Sequence, residues 1–240
     1  MTQENPRLYF RQLLAGRDFA QQNSVARQMV NFVYLLGDRE TGEALVIDPA
    51  YAVRELADIA AADDMKLVGV LATHFHPDHV GGDLFGHSIE GVRELLAIQG
   101  MKVHLQRTEA PWLQQVTQLS ASDLCLHDSG DTVTVGEISV QLIHTPGHTP
   151  GGQCFLVEGR LVAGDTLFLE GCGRTDLPGG DASALYYSLT QRLAQVPDDA
   201  VLFPGHLYSK QPNASLGVTR RENFVFKPKT EQDWLRMFAR

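Results

Sequence analysis

The chain has 240 residues, 29 of them acidic and 20 basic, and this net charge of -9 argues against nucleic acid as the main partner. Its 43% hydrophobic and 20% charged residues are typical of a soluble folded protein, and no apolar run is long enough to span a membrane. Because the first ten residues, MTQENPRLYF, lack the layout of a signal peptide, we expect a cytoplasmic protein.

Strand-like and helix-like patterns alternate along the chain. The predicted strands are Leu8–Leu14, Met29–Leu36, Ala44–Ile47, Leu67–Ala72, Lys102–Leu105, Thr132–Val135, Ile138–Ile143, Cys154–Val157, Leu161–Ala163 and Val201–Phe203. The predicted helices are Val53–Ala62, Ile89–Ile98, Glu109–Leu119, Ala182–Ala194 and Glu231–Phe238. Hairpin turns are predicted at residues 37–42 and 158–160, and Asp181 is placed to cap a helix. The order predicts a single domain over residues 1–240, of the α/β (α+β) class, with mixed sheets and outer helices.

The densest chemical signal is the sequence Thr-His-Phe-His-Pro-Asp-His at residues 73–79, directly after the predicted strand Leu67–Ala72. Neutral imidazoles together with a carboxylate are typical ligands of a divalent metal ion. Three imidazoles and an acid on one short loop cannot all be core residues. The motif therefore predicts a metal site.

Three more predicted strands are followed by a turn that carries a histidine or an aspartate: His148, Asp165 and His206. Each residue alone is more typical of a structural histidine or a turn aspartate. Strand ends at one rim of a sheet are where ligands gather, however, so we expect these residues to join the motif. The combined set exceeds the needs of one tetrahedral ion and suits two ions with an oxygen bridge. Its members are His74, His76, Asp78, His79, His148, Asp165 and His206.

The remaining histidines and the cysteines are interpreted as structural. The histidines are His87, His104, His127 and His144, of which the last is close enough to His148 to support it from outside the site. Three cysteines without a Cys-x-x-Cys pair indicate neither a disulfide framework nor a thiolate zinc site. Cys172 is expected to be a small packed residue and not a nucleophile.

These motifs resemble those of the metallo-β-lactamase superfamily. The similarity covers residues 31–206 and consists of Thr-His-x-His-x-Asp-His (73–79), Thr-Pro-Gly-His-Thr (145–149), Gly-Asp-Thr (164–166), Pro-Gly-His (204–206) and the early strand end at Asp48. The resemblance implies an αββα sandwich with metals at the sheet edge and a C-terminal tail over residues 207–240. It implies one metal site at His74, His76 and His148. A second site would use Asp78, His79 and His206, with Asp165 as the bridge.

Two sequence features indicate which branch of the superfamily this chain resembles. True β-lactamases usually lack the bridging acid, so Asp165 indicates the glyoxalase II-like branch. The sequence Gly-Cys-Gly-Arg-Thr-Asp at 171–176 is the form seen in persulfide dioxygenases and in short bacterial glyoxalase II-like proteins. The basic C-terminal glutathione-binding pattern of long glyoxalase II enzymes is not recognisable, and the segment from Asp83 to Gln99 is longer than usual. These departures leave the substrate open.

The first functional hypothesis is a metal-dependent hydrolase of a thioester or related ester, similar to hydroxyacylglutathione hydrolase, that uses a metal-bound hydroxide. Its cofactors would be two divalent ions, Zn²⁺ in the first place, with Fe or Mn as alternatives. Asp78 would also orient the nucleophile, and Arg174 would bind a substrate carboxylate. The second hypothesis is a persulfide dioxygenase acting on glutathione persulfide. It would hold one Fe²⁺ with His74, His148 and Asp165.

Other activities are expected to be minor. β-Lactam turnover is expected to be weak or absent, and lactonase activity ranks with it. A non-catalytic metal-dependent binding protein is disfavoured, because members that lose catalysis generally lose ligands. The expected partner is a small molecule, a thiol conjugate, with no nucleic acid and no membrane. Three roles are open for the segments before residue 31 and after Ser209: covering the sheet edge, shaping the pocket, or forming a homodimer surface.

Overall fold

The computed structural model describes residues 5–238. Within them, the strands are β1 (Leu8–Leu14), β2 (Phe32–Asp38), β3 (Glu43–Ile47), β4 (Lys66–Leu71), β5 (Gly82–Leu84), β6 (His87–Ile89), β7 (Lys102–Gln106), β8 (Leu124–His127), β9 (Thr132–Val135), β10 (Ile138–His144), β11 (Gln153–Val157), β12 (Arg160–Gly164), β13 (Val201–Pro204) and β14 (Ala214–Ser215). The helices are α1 (Ser24–Met29), α2 (Val53–Ala62), α3 (Pro77–Val80), α4 (Val92–Ile98), α5 (Ala110–Thr117), α6 (Ala182–Tyr187), α7 (Leu216–Glu222) and α8 (Glu231–Phe238). None of them is long and apolar enough to cross a membrane.

Two mixed sheets form the centre of the fold. The first has the strand order β1-β2-β3-β4-β7-β8 and the second has the order β14-β13-β12-β11-β10-β9. In the first sheet, the pairs β1–β2 and β2–β3 are antiparallel. The pairs β3–β4, β4–β7 and β7–β8 are parallel. In the second, the pairs are antiparallel except for β12 and β13. A separate hairpin consists of β5 and β6.

Three hydrophobic layers hold the sheets and helices together. Strand β2 shows the reason, because its side chains alternate between two buried faces. Val33 and Leu35 point to a layer shared with α2, α4 and α5, whereas Tyr34 and Leu36 point to a layer between the sheets. A third layer joins the second sheet to α6, α7 and α8. The predicted αββα sandwich is confirmed.

One edge of the sandwich collects the ends of strands from both sheets. Strands β3 and β4 end there in the first sheet, and β10, β12 and β13, which share one direction, end there in the second. Backbone hydrogen bonds join the two sheets at this edge, from Phe32 N to Gly205 O (2.8 Å) and from Gln153 N to Thr73 O (2.9 Å). The loops that follow these strands therefore meet in one place.

Two predicted helices differ from the structure. The predicted helix Ile89–Ile98 begins only at Val92, because residues 87–89 pair as β6 and Gly91 starts the helix with its N–H donated to Glu94 (2.9 Å). The predicted helix Ala182–Ala194 is α-helical only to Tyr187 and then widens into a π turn and a 3₁₀ turn. Its predicted cap is confirmed, since Asp181 Oδ1 accepts from Ala184 N at 2.9 Å.

Candidate metal centre

Asp48, at the end of β3, anchors the loop that carries the first motif. Its backbone has φ = 54°, a left-handed conformation that is uncommon for a residue other than glycine. The carboxylate accepts hydrogen bonds from Thr73 N (2.7 Å) and Thr73 Oγ1 (2.5 Å), and it contacts Nδ1 of His79 (3.0 Å). The unusual backbone thus coincides with a side chain that positions the first residues after β4.

Four histidines direct the same ring nitrogen toward an acceptor outside the centre. The partners of Nδ1 are Thr73 Oγ1 for His74 (2.9 Å), Asp48 Oδ2 for His79 (3.0 Å), Arg174 O for His148 (2.7 Å) and Met29 O for His206 (2.7 Å). These partners can all accept, since the Thr73 hydroxyl gives its own proton to Asp48. Each Nδ1 therefore carries a proton, which leaves Nε2 as the atom that each ring in its neutral form offers to a metal ion at the centre.

The inward-facing atoms form two groups. In the first, donor atoms of His74, His76 and His148 all lie within 4.8 Å of one another, with His76 Nδ1 3.0 Å from His148 Nε2. In the second, Asp78, His79 and His206 meet the same limit. The distance between the two Nε2 atoms of the second group is 3.2 Å.

Asp165, directly after β12, lies between the two groups. Its Oδ2 is 3.7 Å from His148 Nε2 in the first group and 3.3 Å from His206 Nε2 in the second. Its Oδ1 is 3.4 Å from His79 Nε2. One carboxylate therefore faces donors of both groups.

The chemistry of this donor set fits divalent metal binding. The Nε2 atoms of His79 and His206 face each other at 3.2 Å, so a positive charge between them, either a proton or a metal ion, can join the two nitrogens. His74 Nε2 and Asp165 Oδ1 are buried without a hydrogen-bond partner. Burial lowers the pKa of His79, but Asp165 and Asp78 outweigh it and raise the pKa to about 10. The site thus favours positive charge at its centre.

Asn31 and Tyr51 support the second group from outside, and neither was predicted from the sequence. Asn31 Nδ2 donates to Asp78 Oδ2 (3.0 Å), and Tyr51 Oη donates to Asn31 Oδ1 (2.8 Å). Asn31 is buried and fixed by this chain of hydrogen bonds. In the sequence, Asn31 is a polar residue inside the apolar run Met29–Leu36. The alternation pattern of a β-strand does not assign a role to such a residue.

Close backbone approach explains why glycine precedes two of the donor residues, Asp165 and His206. A Cβ at Gly205 would lie 2.3 Å from Asp165 Oδ1, and a Cβ at Gly164 would lie 2.5 Å from Thr73 Oγ1. Gly164 also has φ = 49°, which favours glycine. Larger residues at either position would displace the carboxylate or the loop that the site needs.

Glu109 joins two loops of the centre without facing it. It is 1% exposed and is the last residue of the 3₁₀ turn before α5. Its Oε1 accepts from Phe75 N (2.8 Å), between the first two histidines of the motif, and its Oε2 accepts from Gly151 N (2.6 Å). Burial raises the pKa of this carboxyl to about 7, against the lowering effect of the N–H donors. Glu109 therefore ties the loop after β4 to the loop after β10.

Replacing Glu109 by Ala is expected to lower the free energy of unfolding by about 2–4 kcal/mol, because two buried N–H groups lose their acceptor. Glu109→Gln retains an acceptor oxygen and is expected to lose less. Urea unfolding of the metal-free protein measures both changes. An unchanged unfolding midpoint for the alanine variant would show that these hydrogen bonds do not hold the loops.

A cavity of about 720 Å³ opens from the centre. Arg174 lines it, and the guanidinium makes two hydrogen bonds of 2.6 Å to the carboxylate of Asp176. Cys172 also lines the cavity, and burial raises the pKa of its thiol to about 12, which disfavours a thiolate nucleophile.

The histidines interpreted as structural lie elsewhere in the described chain. His104 and His127 contact each other (2.9 Å), and His87 is in β6. His144 Nε2 contacts the Pro150 carbonyl (3.0 Å), in the loop that carries His148.

Comparison with known proteins decides the family. The sequence model of the metallo-beta-lactamase superfamily matches residues 27–206, three quarters of the chain. The chain belongs to the metallo-beta-lactamase superfamily. The predicted membership is confirmed, as is the prediction of a superfamily enzyme related to metal-dependent hydrolases.

Similar proteins of the superfamily are named for different activities. The chain is 28% identical to the probable polyketide biosynthesis zinc-dependent hydrolase BaeB of Bacillus velezensis, over 82% of each protein. It is 34% identical to the human mitochondrial persulfide dioxygenase ETHE1, over 74% of this chain and 64% of the relative. It is 35% identical to a hydroxyacylglutathione hydrolase of Aeromonas hydrophila, over 75% of this chain and 62% of the relative.

Solved structures of the superfamily share the fold. The superposition on ETHE1 from Myxococcus xanthus covers 95% of this chain and 89% of the ETHE1 chain, with a TM-score of 0.78 and 29% sequence identity. TTHA1623, solved in a di-iron-bound form, matches 82% of this chain and 96% of its own, with a TM-score of 0.67 and 27% identity. Divalent metals are thus bound by superfamily members on this fold. The boundaries of the core at 31–206 and the tail at 207–240 stay a prediction.

Proposed function

We propose that the protein is a dinuclear metallohydrolase that cleaves a thioester or related ester of a small-molecule thiol conjugate, as a hydroxyacylglutathione hydrolase does. The observation that carries this proposal is the position of Asp165. Its carboxylate faces His148 of one donor group and both His79 and His206 of the other. A carboxylate shared in this way is suited to bridging two cations.

Two divalent ions in such a site supply a water of lowered pKa and a Lewis acid for the carbonyl. Asp78 is proposed to orient the attacking nucleophile, since Asn31 fixes its Oδ2 (3.0 Å). Asp48 keeps the ring of His79 in one orientation. A thiolate leaves with little proton assistance, because the pKa of a free thiol is only about 8.5. This difference favours a thioester over an amide as substrate.

The identity of the ions is proposed to be Zn²⁺, in line with the zinc-dependent hydrolase among the relatives. The histidine-rich donor set also suits iron, and TTHA1623 was solved with two iron ions. Two zinc ions and two iron ions would use the same donor groups.

A second candidate is a persulfide dioxygenase with one Fe²⁺ held by His74, His148 and Asp165. Two histidines and a carboxylate that leave open positions are the ligand set of mononuclear Fe²⁺ oxygenases. The Gly-Cys-Gly-Arg-Thr-Asp sequence at 171–176 and the 34% identity to human ETHE1 favour this candidate.

Metal analysis of protein purified without oxygen separates the two candidates. For the hydrolase we expect about two metal ions per chain, by the ligand count that two such sites need, and hydrolysis of lactoylglutathione without oxygen uptake. Removal of the metal by a chelator should abolish hydrolysis, and added Zn²⁺ should restore it. One iron per chain together with oxygen uptake on glutathione persulfide would overturn the proposed hydrolase.

A further inference from the structure

The hairpin of β5 and β6 exposes a phenylalanine at an unfavourable backbone position. Leu84 pairs with His87, so Phe85 and Gly86 form a two-residue turn, and their φ angles are 52° and 84°. Positive φ at both central residues is the pattern of a type I′ turn, which favours Asn, Asp or Gly first. Phe85 is instead strained in the backbone and 93% exposed. The strained turn therefore holds an apolar ring in solvent, where a ligand can bury it.

The base of the hairpin is closely packed, so the turn is presented from a fixed support. A Cβ at Gly81 would lie 2.6 Å from the Gly91 Cα, and a Cβ at Gly82 would lie 2.7 Å from Val116 Cγ1. Ile89, at the end of β6, is buried in the core. The hairpin lies at the start of the segment from Asp83 to Gln99, which is longer than usual for the superfamily.

Phe85 lines the same cavity of about 720 Å³ that opens from the metal centre. Phe168 and Phe224 line other parts of it, from loops far along the chain. This volume is in the range of pockets that hold small-molecule ligands, about 300–1,000 Å³. The cavity can hold an acyl group larger than the two or three carbons of an acetyl or lactoyl group.

Outside the metal centre, the charged side chains of the cavity disfavour an anionic acyl chain. Among the described lining residues outside the two donor groups and Asp165, the charged side chains are Asp83, Glu170 and Arg174. Arg174 is already paired with Asp176 through two 2.6 Å hydrogen bonds. A carboxylate in this cavity would thus meet two acids and one neutralised cation. An uncharged apolar group meets the phenylalanines instead.

We propose that Phe85 is a specificity-determining residue that packs against an uncharged, apolar acyl chain of the substrate. The inference rests on the proposed thioester hydrolase and names its substrate class. Burial of the ring by the acyl chain compensates for its exposure in the free protein. The chain length that reaches Phe85 is preferred over short acyl groups.

The test compares octanoyl and acetyl thioesters of N-acetylcysteamine, which differ only in the acyl chain and have an uncharged carrier. Phe85→Asn removes the ring but suits the type I′ turn, so it should keep or raise the thermal midpoint. Its kcat/KM is expected to fall about tenfold for the octanoyl substrate and to change less than twofold for the acetyl substrate. Leu126→Asn, which removes another exposed apolar side chain, is the matched control and should change neither value.

The outcomes also separate this inference from the proposed function. Equal loss on both substrates, or no loss on either, would overturn the role of Phe85 while leaving a thioester hydrolase. If the wild type cleaves no thioester, the proposed function fails. Calorimetric binding of the unreactive S-octyl-N-acetylcysteamine then tests Phe85 alone, since Phe85→Asn should still weaken it about tenfold. Unchanged binding would overturn the inference.

Discussion

Asp165→Asn is expected to reduce thioester hydrolysis by about 10³-fold, a loss comparable to removing a strong electrostatic group from an active site. The asparagine has nearly the same shape but lacks the negative charge that faces both donor groups. Its amide can donate toward His206 Nε2, which satisfies one lone pair without a metal. We therefore expect metal content to fall below that of the wild type while the protein remains folded.

The control for this variant is Asp83→Asn, which removes an acidic side chain from the same cavity but not from the donor groups. It should retain full metal content and hydrolysis within about twofold, as expected for a substitution away from the ligands. Metal content by mass spectrometry and initial rates of thioester hydrolysis are measured for both variants. Asp165→Asn protein with wild-type metal content and rate would refute the bridging role.

The clustering of the donor residues could be predicted because its signal is local. His74, His76, Asp78 and His79 are adjacent in the chain, and their spacing alone indicates metal chemistry. The sequence also showed that other ligand types follow apolar strands. Because the ends of such strands meet at one edge, the distant residues could be added before the topology was known.

The supporting residues could not be predicted, because their contacts are made across the fold. Asn31 reaches Asp78 over 47 positions, and Glu109 reaches Gly151 over 42 positions. Neither residue has a neighbour in the sequence that reveals its partner. Single-sequence patterns report periodicity and local turn chemistry, whereas these hydrogen bonds depend on how the sheets face each other.

The hairpin of β5 and β6 was missed for a different reason. Its strands have three residues each, and the apolar residues of the following helix extend the helical pattern back to Ile89. Phe85-Gly86 is also an unusual turn sequence, since the expected signals for a two-residue hairpin begin with Asn, Asp or Gly. A local rule that fails beside an active site is a reason to look for function there.

His206→Ala is expected to distinguish the hydrolase from the dioxygenase with one substitution. It removes a donor from the group of Asp78 and His79 and leaves His74, His76, His148 and Asp165 in place. A dinuclear hydrolase should lose its second ion and about 10²–10³-fold in hydrolysis, because positioned electrostatic groups of an active site contribute effects of this size. A mononuclear iron enzyme should keep one iron and most of its oxygen uptake, because none of its three ligands has changed.

Tyr208→Ala is the control for loss of packing around His206. The Tyr208 ring stacks on the His206 ring with centroids 4.6 Å apart and planes 6° apart, so both variants disrupt the same stack. Only His206→Ala removes a nitrogen that faces the centre. We expect Tyr208→Ala to retain both ions, which isolates the contribution of the ligand. If His206→Ala keeps full thioester hydrolysis, the second donor group is not part of the reaction, and the dinuclear hydrolase is overturned.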